Sequence, residues 1–192
     1  MYVRKTMISE LVPLKGLLDV FEPVTGTSTN WKHWKTIADE RRCIVCEMMH
    51  GKIYAADEHP KPSPPVHIGC RCAINAMQTV IAGQASKENV NGADWWLKYY
   101  GYLPTYYITL NDLFNTGWNQ GQSPARFAPG KMLTRGVYHN KNGHLPDAPG
   151  RIWYEADLNY YSGHRNAHRI LWSNDGLIFV TYDHYRTFFE IV

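Results

Sequence analysis

Apolar residues recur at helical and then at strand intervals from Val90 onward, whereas the chain before Val90 shows no sustained period. Val90, Ala93, Leu97 and Tyr100 fall at i, i+3, i+7 and i+10, which puts them on one helical face. Gly101 is a plausible stop, with Pro104 beyond it. Thr109 followed three residues later by Asp112 resembles a capping box and predicts a second short helix ending near Gly117. After Pro124 the period drops to two. Ile152, Tyr154, Ala156 and Leu158 alternate with Trp153, Glu155, Asp157 and Asn159, so Glu155 lies on one face of a strand. Residues 169–172 and 177–182 flank Ser173-Asn174-Asp175-Gly176 as a hairpin. Asp183-His184-Tyr185 reads as a further corner and residues 187–191 as a last strand. Helices followed by an antiparallel meander predict an α+β domain over residues 90–192.

The earlier part is organised differently. Residues 1–30 carry no strong signal, and 31–40 are consistent with a short helix. His59-Pro60-Lys61-Pro62-Ser63-Pro64-Pro65 excludes helix and central strand, so the surrounding cysteine segment is expected to be loop. Residues 76–89 are small and polar, as in a linker. The expected organisation is a cysteine module over 1–75, a linker over 76–89 and the α+β domain over 90–192.

Composition refines this picture. The chain has 192 residues, with 44% hydrophobic and 14% aromatic side chains, enough for a packed core. Twenty Lys+Arg against 17 Asp+Glu give a net charge of +3, too mild to announce a nucleic-acid binder by charge alone. No apolar run is long enough to span a bilayer. Residues 11–21 are interrupted by Pro13, Lys15, Gly16 and Asp19, a poor signal-peptide core, so any export is expected as part of something larger or by another route.

All four cysteines lie between residues 43 and 72. Cys43 and Cys46 form one knuckle, and His67, Cys70 and Cys72 supply three further donors. Tetrahedral zinc takes four such ligands. A structural zinc, two disulfides and reduced thiols are the readings that this spacing leaves open. His50 and His59 have no role assigned beyond solvated loop positions.

Glu155, Arg165, Arg169 and His184 stand out in the meander as candidate chemistry. RNA can be cut through its own 2′-hydroxyl: a base removes that proton, the oxygen attacks phosphorus, and an acid protonates the departing 5′-oxygen. A carboxylate and an imidazole suit these roles near neutral pH, and guanidiniums stabilise the charge that builds on phosphorus. By residue type alone, the ordinary interpretation of Glu155 beside either arginine is a surface ion pair. Trp118, Trp153 and Phe188 are expected in the core.

Residues 90–192 resemble the barnase/binase family of bacterial ribonucleases. The resemblance rests on Gly92-Ala93-Asp94, Leu103-Pro104, Tyr107-Ile108-Thr109, Gly117-Trp118, Ala128-Pro129-Gly130-Lys131, Gly150-Arg151, Glu155-Ala156-Asp157, Arg165-Asn166, Arg169-Ile170-Leu171, Asp183-His184-Tyr185 and Thr187-Phe188. It implies Glu155 as general base, His184 as general acid, Arg165 and Arg169 as phosphate ligands, and no metal in catalysis. It also places Asn140, Lys141, Asn142 and Tyr185 at the nucleotide. Two positions depart from the family. Leu110 replaces a lysine that helps hold the scissile phosphate, with Lys131 or His168 as substitutes to consider. Asn142 replaces a glutamate that accepts from guanine, which puts guanine preference in doubt.

Residues 31–75 resemble part of the phage head-morphogenesis (minor head protein) family, through Trp34, Asp39-Glu40-Arg41, Cys43-x₂-Cys46, Gly51-Lys52, Pro64-Pro65, His67 and Cys70-Arg71-Cys72. Toxin domains are sometimes appended behind such modules. The combination implies a ribonuclease toxin secreted or delivered into target-cell cytoplasm, with RNA as substrate and a small acidic immunity protein as inhibitor. The alternative is a phage-related structural protein with a degenerate, RNA-binding-only domain.

Overall fold

The computed structural model describes residues 24–192; the interrupted apolar stretch at 11–21 lies outside them. The strands are β1 (Gly26–Lys35), β2 (Ile53–Ala55), β3 (Ala73–Val80), β4 (Tyr107–Thr109), β5 (Met132–Tyr138), β6 (Trp153–Asp157), β7 (Arg169–Ser173), β8 (Ile178–Thr181) and β9 (Phe189–Ile191). The α-helices are α1 (Ile44–Met49), α2 (Ala93–Tyr100) and α3 (Leu110–Asn115). Among the described residues, these nine strands form one sheet in the order β2-β1-β3-β9-β8-β7-β6-β5-β4. Its pairings are antiparallel except β3–β9 and β4–β5. The mixed α+β class holds, with the sheet dominant and the helices few and short. Among the described residues, no helix is long and apolar enough to cross a membrane.

Several elements follow from local chemistry. Thr109 caps α3, its hydroxyl accepting from the Asp112 amide at 3.1 Å. Gly101 closes α2 with φ +79°, a left-handed conformation that costs glycine little. Ala93 and Leu97 are buried as the helical spacing predicts, but Val90 and Tyr100 are exposed. Val90 lies in a single 3₁₀ turn before α2 and so leaves the helical face. Along β7 and β8 the alternation separates two cores. Ile170, Ile178 and Val180 join Ala93, Leu97 and Ala156, while Leu171 and Phe179 join Trp153, Leu145 and Phe188. Trp118, Trp153 and Phe188 are buried, as expected.

Two expectations are corrected. Residues 31–40 do not begin as a helix: residues through Lys35 are strand, because β1 pairs with β2 on one side and β3 on the other. Residues 76–89 are not a free linker. Residues 76–80 belong to β3, with Met77 and Val80 fully buried, and β3 continues the sheet through Thr79↔Glu190 and Val80↔Ile191 of β9. The following turn is tied to α2. Asp94, fully buried, accepts from the amides of Gly83 (2.6 Å) and Ala85 (2.9 Å) and from the Ser86 hydroxyl (2.9 Å). Small side chains at 82–86 serve close packing here: Ala82, Ala85 and Ser86 are buried.

The cysteine segment therefore packs as part of the whole. Ile53 and Met77 share a core with Leu145, Trp153, Phe179 and Phe188, and Trp31 packs edge-on to Phe179. The Ile53 amide donates to the His144 carbonyl at 2.8 Å. Gly51, at φ +82°, lies so close to the 185–186 backbone that a Cβ would sit 2.6 Å from the Arg186 carbonyl oxygen.

Candidate active site

Strand β6 presents Glu155 between β5 and β7, opposite Gly136 and Leu171. Its carboxylate is largely buried at the wall of an open cavity of about 730 Å³. One oxygen, Oε2, accepts from the Tyr185 hydroxyl at 2.6 Å. The other, Oε1, lies 3.7 Å from Arg135 Nε. His184 and Tyr185 line the same cavity, as do Lys141 and Asn142 of the 139–144 loop. Burial and the bound carboxylate push the Tyr185 hydroxyl well above its ordinary pKa, so it remains a donor. Burial and the carboxylate also raise the neighbouring Tyr138 hydroxyl, to about 12. The Tyr138 and Tyr185 rings stack with centroids 5.4 Å apart.

The corner that carries the imidazole is strained and tightly tied. His184 and Tyr185 have φ of +60° and +70°, consecutive left-handed residues that are neither glycine. The Asp183 carboxylate holds them: it accepts from the amides of Arg186 (3.0 Å) and Thr187 (2.9 Å) and from the hydroxyls of Thr181 (3.0 Å) and Thr187 (2.7 Å). The Tyr185 amide donates to Thr181 Oγ1 at 3.0 Å, and that of His184 to the Ala167 carbonyl at 3.1 Å. Burial depresses the His184 pKa, and the charges of Arg169, Arg165 and Arg186 add to the depression while Glu155 opposes it.

Arg165 and Arg169 stand beside the cavity, against Asp157. Asp157 is fully buried at the end of β6, and Arg165 forks onto both its oxygens, Nε donating to Oδ2 at 2.8 Å. Arg169 is buried on β7. Its Nη1 donates to the carbonyls of Asn166 (2.7 Å) and His168 (2.6 Å). Its Nε is 3.4 Å from Asp157 but too poorly aligned for a hydrogen bond, and so is a buried donor without an acceptor among the described residues.

The other expected residues divide. Asn140 spends its side chain on the loop itself, donating to the Leu145 carbonyl at 2.8 Å and accepting from its amide at 3.1 Å. These bonds tie the 139–144 loop together. Lys131 is not at the site: it donates to the Thr105 carbonyl at 2.9 Å and is absent from the cavity wall. His168 is also elsewhere, its ring beside Asn159 and Tyr182. Leu110 does line the cavity. The cation beside Glu155 is Arg135, which the sequence pattern did not single out. It lies where the β5–β6 register shifts between Thr134 and Gly136, and Gly136 adopts φ +73°. A basic residue before a glycine within a strand was the available sign of a bulge re-aiming a side chain.

A second cluster gathers the cysteines. Cys43, Cys46 and His67 bring their donor atoms within 4.8 Å of one another, and so do Cys46, Cys70 and Cys72. His67 Nε2 is 3.2 Å from each of Cys43 and Cys46 Sγ, and Cys46 and Cys70 Sγ are 3.9 Å apart. The sulfurs are not joined as disulfides. His67 Nδ1 faces the Ile68 carbonyl at 2.9 Å, which calls for a proton on Nδ1 and leaves Nε2 as a lone-pair donor. The Cys46 amide donates to Cys43 Sγ at 3.4 Å, and Arg71 forks onto Asp39 at 2.5 and 2.6 Å. Soft donors so placed suit zinc. His50 is no free loop residue; its Nδ1 accepts from the Thr36 amide at 3.2 Å.

Comparison with known proteins accounts for both halves. A family profile described as Phage Mu protein F like protein matches residues 24–75, and one described as ribonuclease matches residues 102–192. A ribonuclease of Heyndrickxia coagulans is 46% identical over 100 residues, 52% of this chain and 91% of its own length. Ribonucleases of Bacillus intermedius and Bacillus pumilus are also 46% identical over 100 residues, and there this chain spans 61% of the relatives' length. With Glu155 and His184 at one cavity, and this identity across most of a curated ribonuclease, the chain belongs to the barnase-type ribonuclease family and carries a phage Mu F-like segment ahead of that domain.

Proposed function

We propose that the protein is an endoribonuclease that cuts RNA by attack of the 2′-hydroxyl on the adjacent phosphorus. Glu155 removes the hydroxyl proton, and His184 protonates the 5′-oxygen as the bond to phosphorus breaks. The products are a 2′,3′-cyclic phosphate and a free 5′-hydroxyl. The observation that carries this reading is that Glu155 and His184 open onto one cavity, with Arg165 and Arg169 beside it on Asp157. Arg135 supplies the cation that Leu110 lacks, 3.7 Å from Glu155. A binding-only role would draw its support from Leu110, and Arg135 weakens that support. The chemistry needs no metal, since base, acid and electrostatic stabiliser are all side chains.

Incubation of RNA with the protein in EDTA, with product ends read by mass spectrometry, tests this. Cyclic phosphate ends are expected, and are expected to vanish in Glu155→Ala and His184→Ala. Intact RNA from folded protein overturns the reading.

The Cys43, Cys46, His67, Cys70 and Cys72 cluster is proposed as a structural zinc site, outside catalysis. The arrangement of a phage Mu F-like segment before a ribonuclease supports a toxin delivered into other cells. Lys141 and Arg186 are exposed at the cavity, and with Arg135 they suit a small acidic inhibitor. Co-purification of a neighbouring-gene product that blocks RNA cleavage checks this role; the idea fails if none of those products inhibits.

A further inference from the structure

The active-site cavity is not the only cationic hollow. On the other side of Arg186 a groove of about 270 Å³ runs between the phage Mu F-like segment and the 186–189 turn. Lys35 and His33 of β1 and His50 after α1 line it together with Arg186. Among the described residues no carboxylate belongs to its wall, though the Asp183 charge bears on the His50 ring. Gln78 offers an amide, and Trp34, fully buried, has an Nε1 with no acceptor among the described residues. Arg186 lines both hollows, and its charge bears on both the His184 and the His50 rings, helping to lower the proton affinity of each.

We propose that this groove is a second RNA subsite, built by the phage Mu F-like segment, that holds the strand on the 3′ side of the bond being cut. Direction comes from chemistry. The general acid protonates the leaving 5′-oxygen, which belongs to the nucleotide 3′ of the cleaved bond. Arg186, two residues after His184, lines both the groove and the active-site cavity, so the groove adjoins the corner that carries the acid. The recognition loop at 139–142 lies in the other cavity and serves the nucleotide that supplies the 2′-hydroxyl. Lys35 and Arg186 then meet a downstream phosphate, and the exposed Gln78 amide offers a donor to a base or sugar. The assignment of the 3′ side rests on the proposed role of His184.

Binding of uncleavable RNA tests this without turnover. Fluorescently labelled 2′-O-methyl oligonucleotides lack the attacking hydroxyl. A dinucleotide, the same dinucleotide extended by two nucleotides at its 3′ end, and one extended at its 5′ end are titrated against the full chain. The 3′ extension is expected to tighten binding about tenfold. Lys35→Glu, an exposed position, is expected to erase that gain and to lower the slope of log K against log salt by about 0.7, with an unchanged melting midpoint. A 3′ extension without gain, a gain that survives Lys35→Glu, or Lys35 dependence confined to the 5′ extension would each overturn the proposal. Failure of the catalytic reading shows separately, as uncut natural RNA in the EDTA assay.

Discussion

The Tyr185 hydroxyl donates to Glu155 Oε2 at 2.6 Å, so one oxygen of the proposed base is held by the residue that follows the proposed acid. The contact ties β6 to the 183–187 corner, and it leaves Oε1 facing Arg135 at 3.7 Å. Tyr185→Phe keeps the ring and its stacking on Tyr138 but removes this bond. A hydrogen bond to a charged group contributes about 1.5–3 kcal/mol. Initial rates on a dinucleotide are expected to show kcat lowered at least tenfold, with KM little changed. An equal kcat would show that the bond does not orient the base.

Arg135 is expected to act as the lysine would at position 110. Arg135→Gln should lower kcat by about a hundredfold, the usual scale for loss of one preorganised stabiliser. Leu110→Lys in that background should restore much of the loss, because Leu110 faces the same cavity. Absence of rescue would place the role of Arg135 elsewhere.

The pH dependence follows from the direction of the His184 shift. Burial first, and then Arg169, Arg165 and Arg186, disfavour the protonated ring, while Glu155 favours it. A general acid must be protonated, so activity falls as pH rises through its pKa. With that pKa depressed, the alkaline limb of kcat/KM is expected below the ordinary imidazole value of about 6.5. Arg186→Gln removes one depressing charge and should move the limb to higher pH. A shift to lower pH would contradict the assignment of the limb to His184.

Asp157 anchors Arg165 and Arg169 from a fully buried position. Asp157→Asn leaves two guanidiniums around a neutral amide. Removing one partner of a buried ion pair costs about 3–5 kcal/mol. Denaturant unfolding of the variant is expected to show a loss on that scale, together with lost RNA cleavage. A loss below 1 kcal/mol would mean that the arginines find other acceptors.

Metal analysis of protein purified without chelator is expected to give one zinc per chain. Strong chelation should lower the melting temperature, since α1 and the turn pressing Gly51 on Arg186 follow directly from Cys43 and Cys46. Cys46→Ser should reproduce the effect. A metal-free protein with an unaltered midpoint would leave the cluster as reduced thiols.

Much of the ribonuclease half was legible because its signals are local. Period-two spacing put Glu155 on a strand face, Thr109 announced the α3 cap, and Ser173–Gly176 announced a hairpin. Val90 and Tyr100 fit the helical period but are exposed, since a 3₁₀ turn precedes α2 and the helix ends at Tyr100. Residues 31–35 are strand because pairing to β2 and β3 outweighs their weak helical pattern.

The sequence by itself determined membership of the ribonuclease family and the phage Mu F-like segment ahead of that domain, because motif spacing and family resemblance carry that information. Only the tertiary structure decided that β3 extends the ribonuclease sheet, that Arg135 stands beside Glu155, and that Lys131 does not. Thr79 and Glu190 pair across more than a hundred positions, and a bulge at residues 134–136 turns one side chain into the cavity. Such contacts arise from mutual burial of distant segments, which local spacing cannot encode.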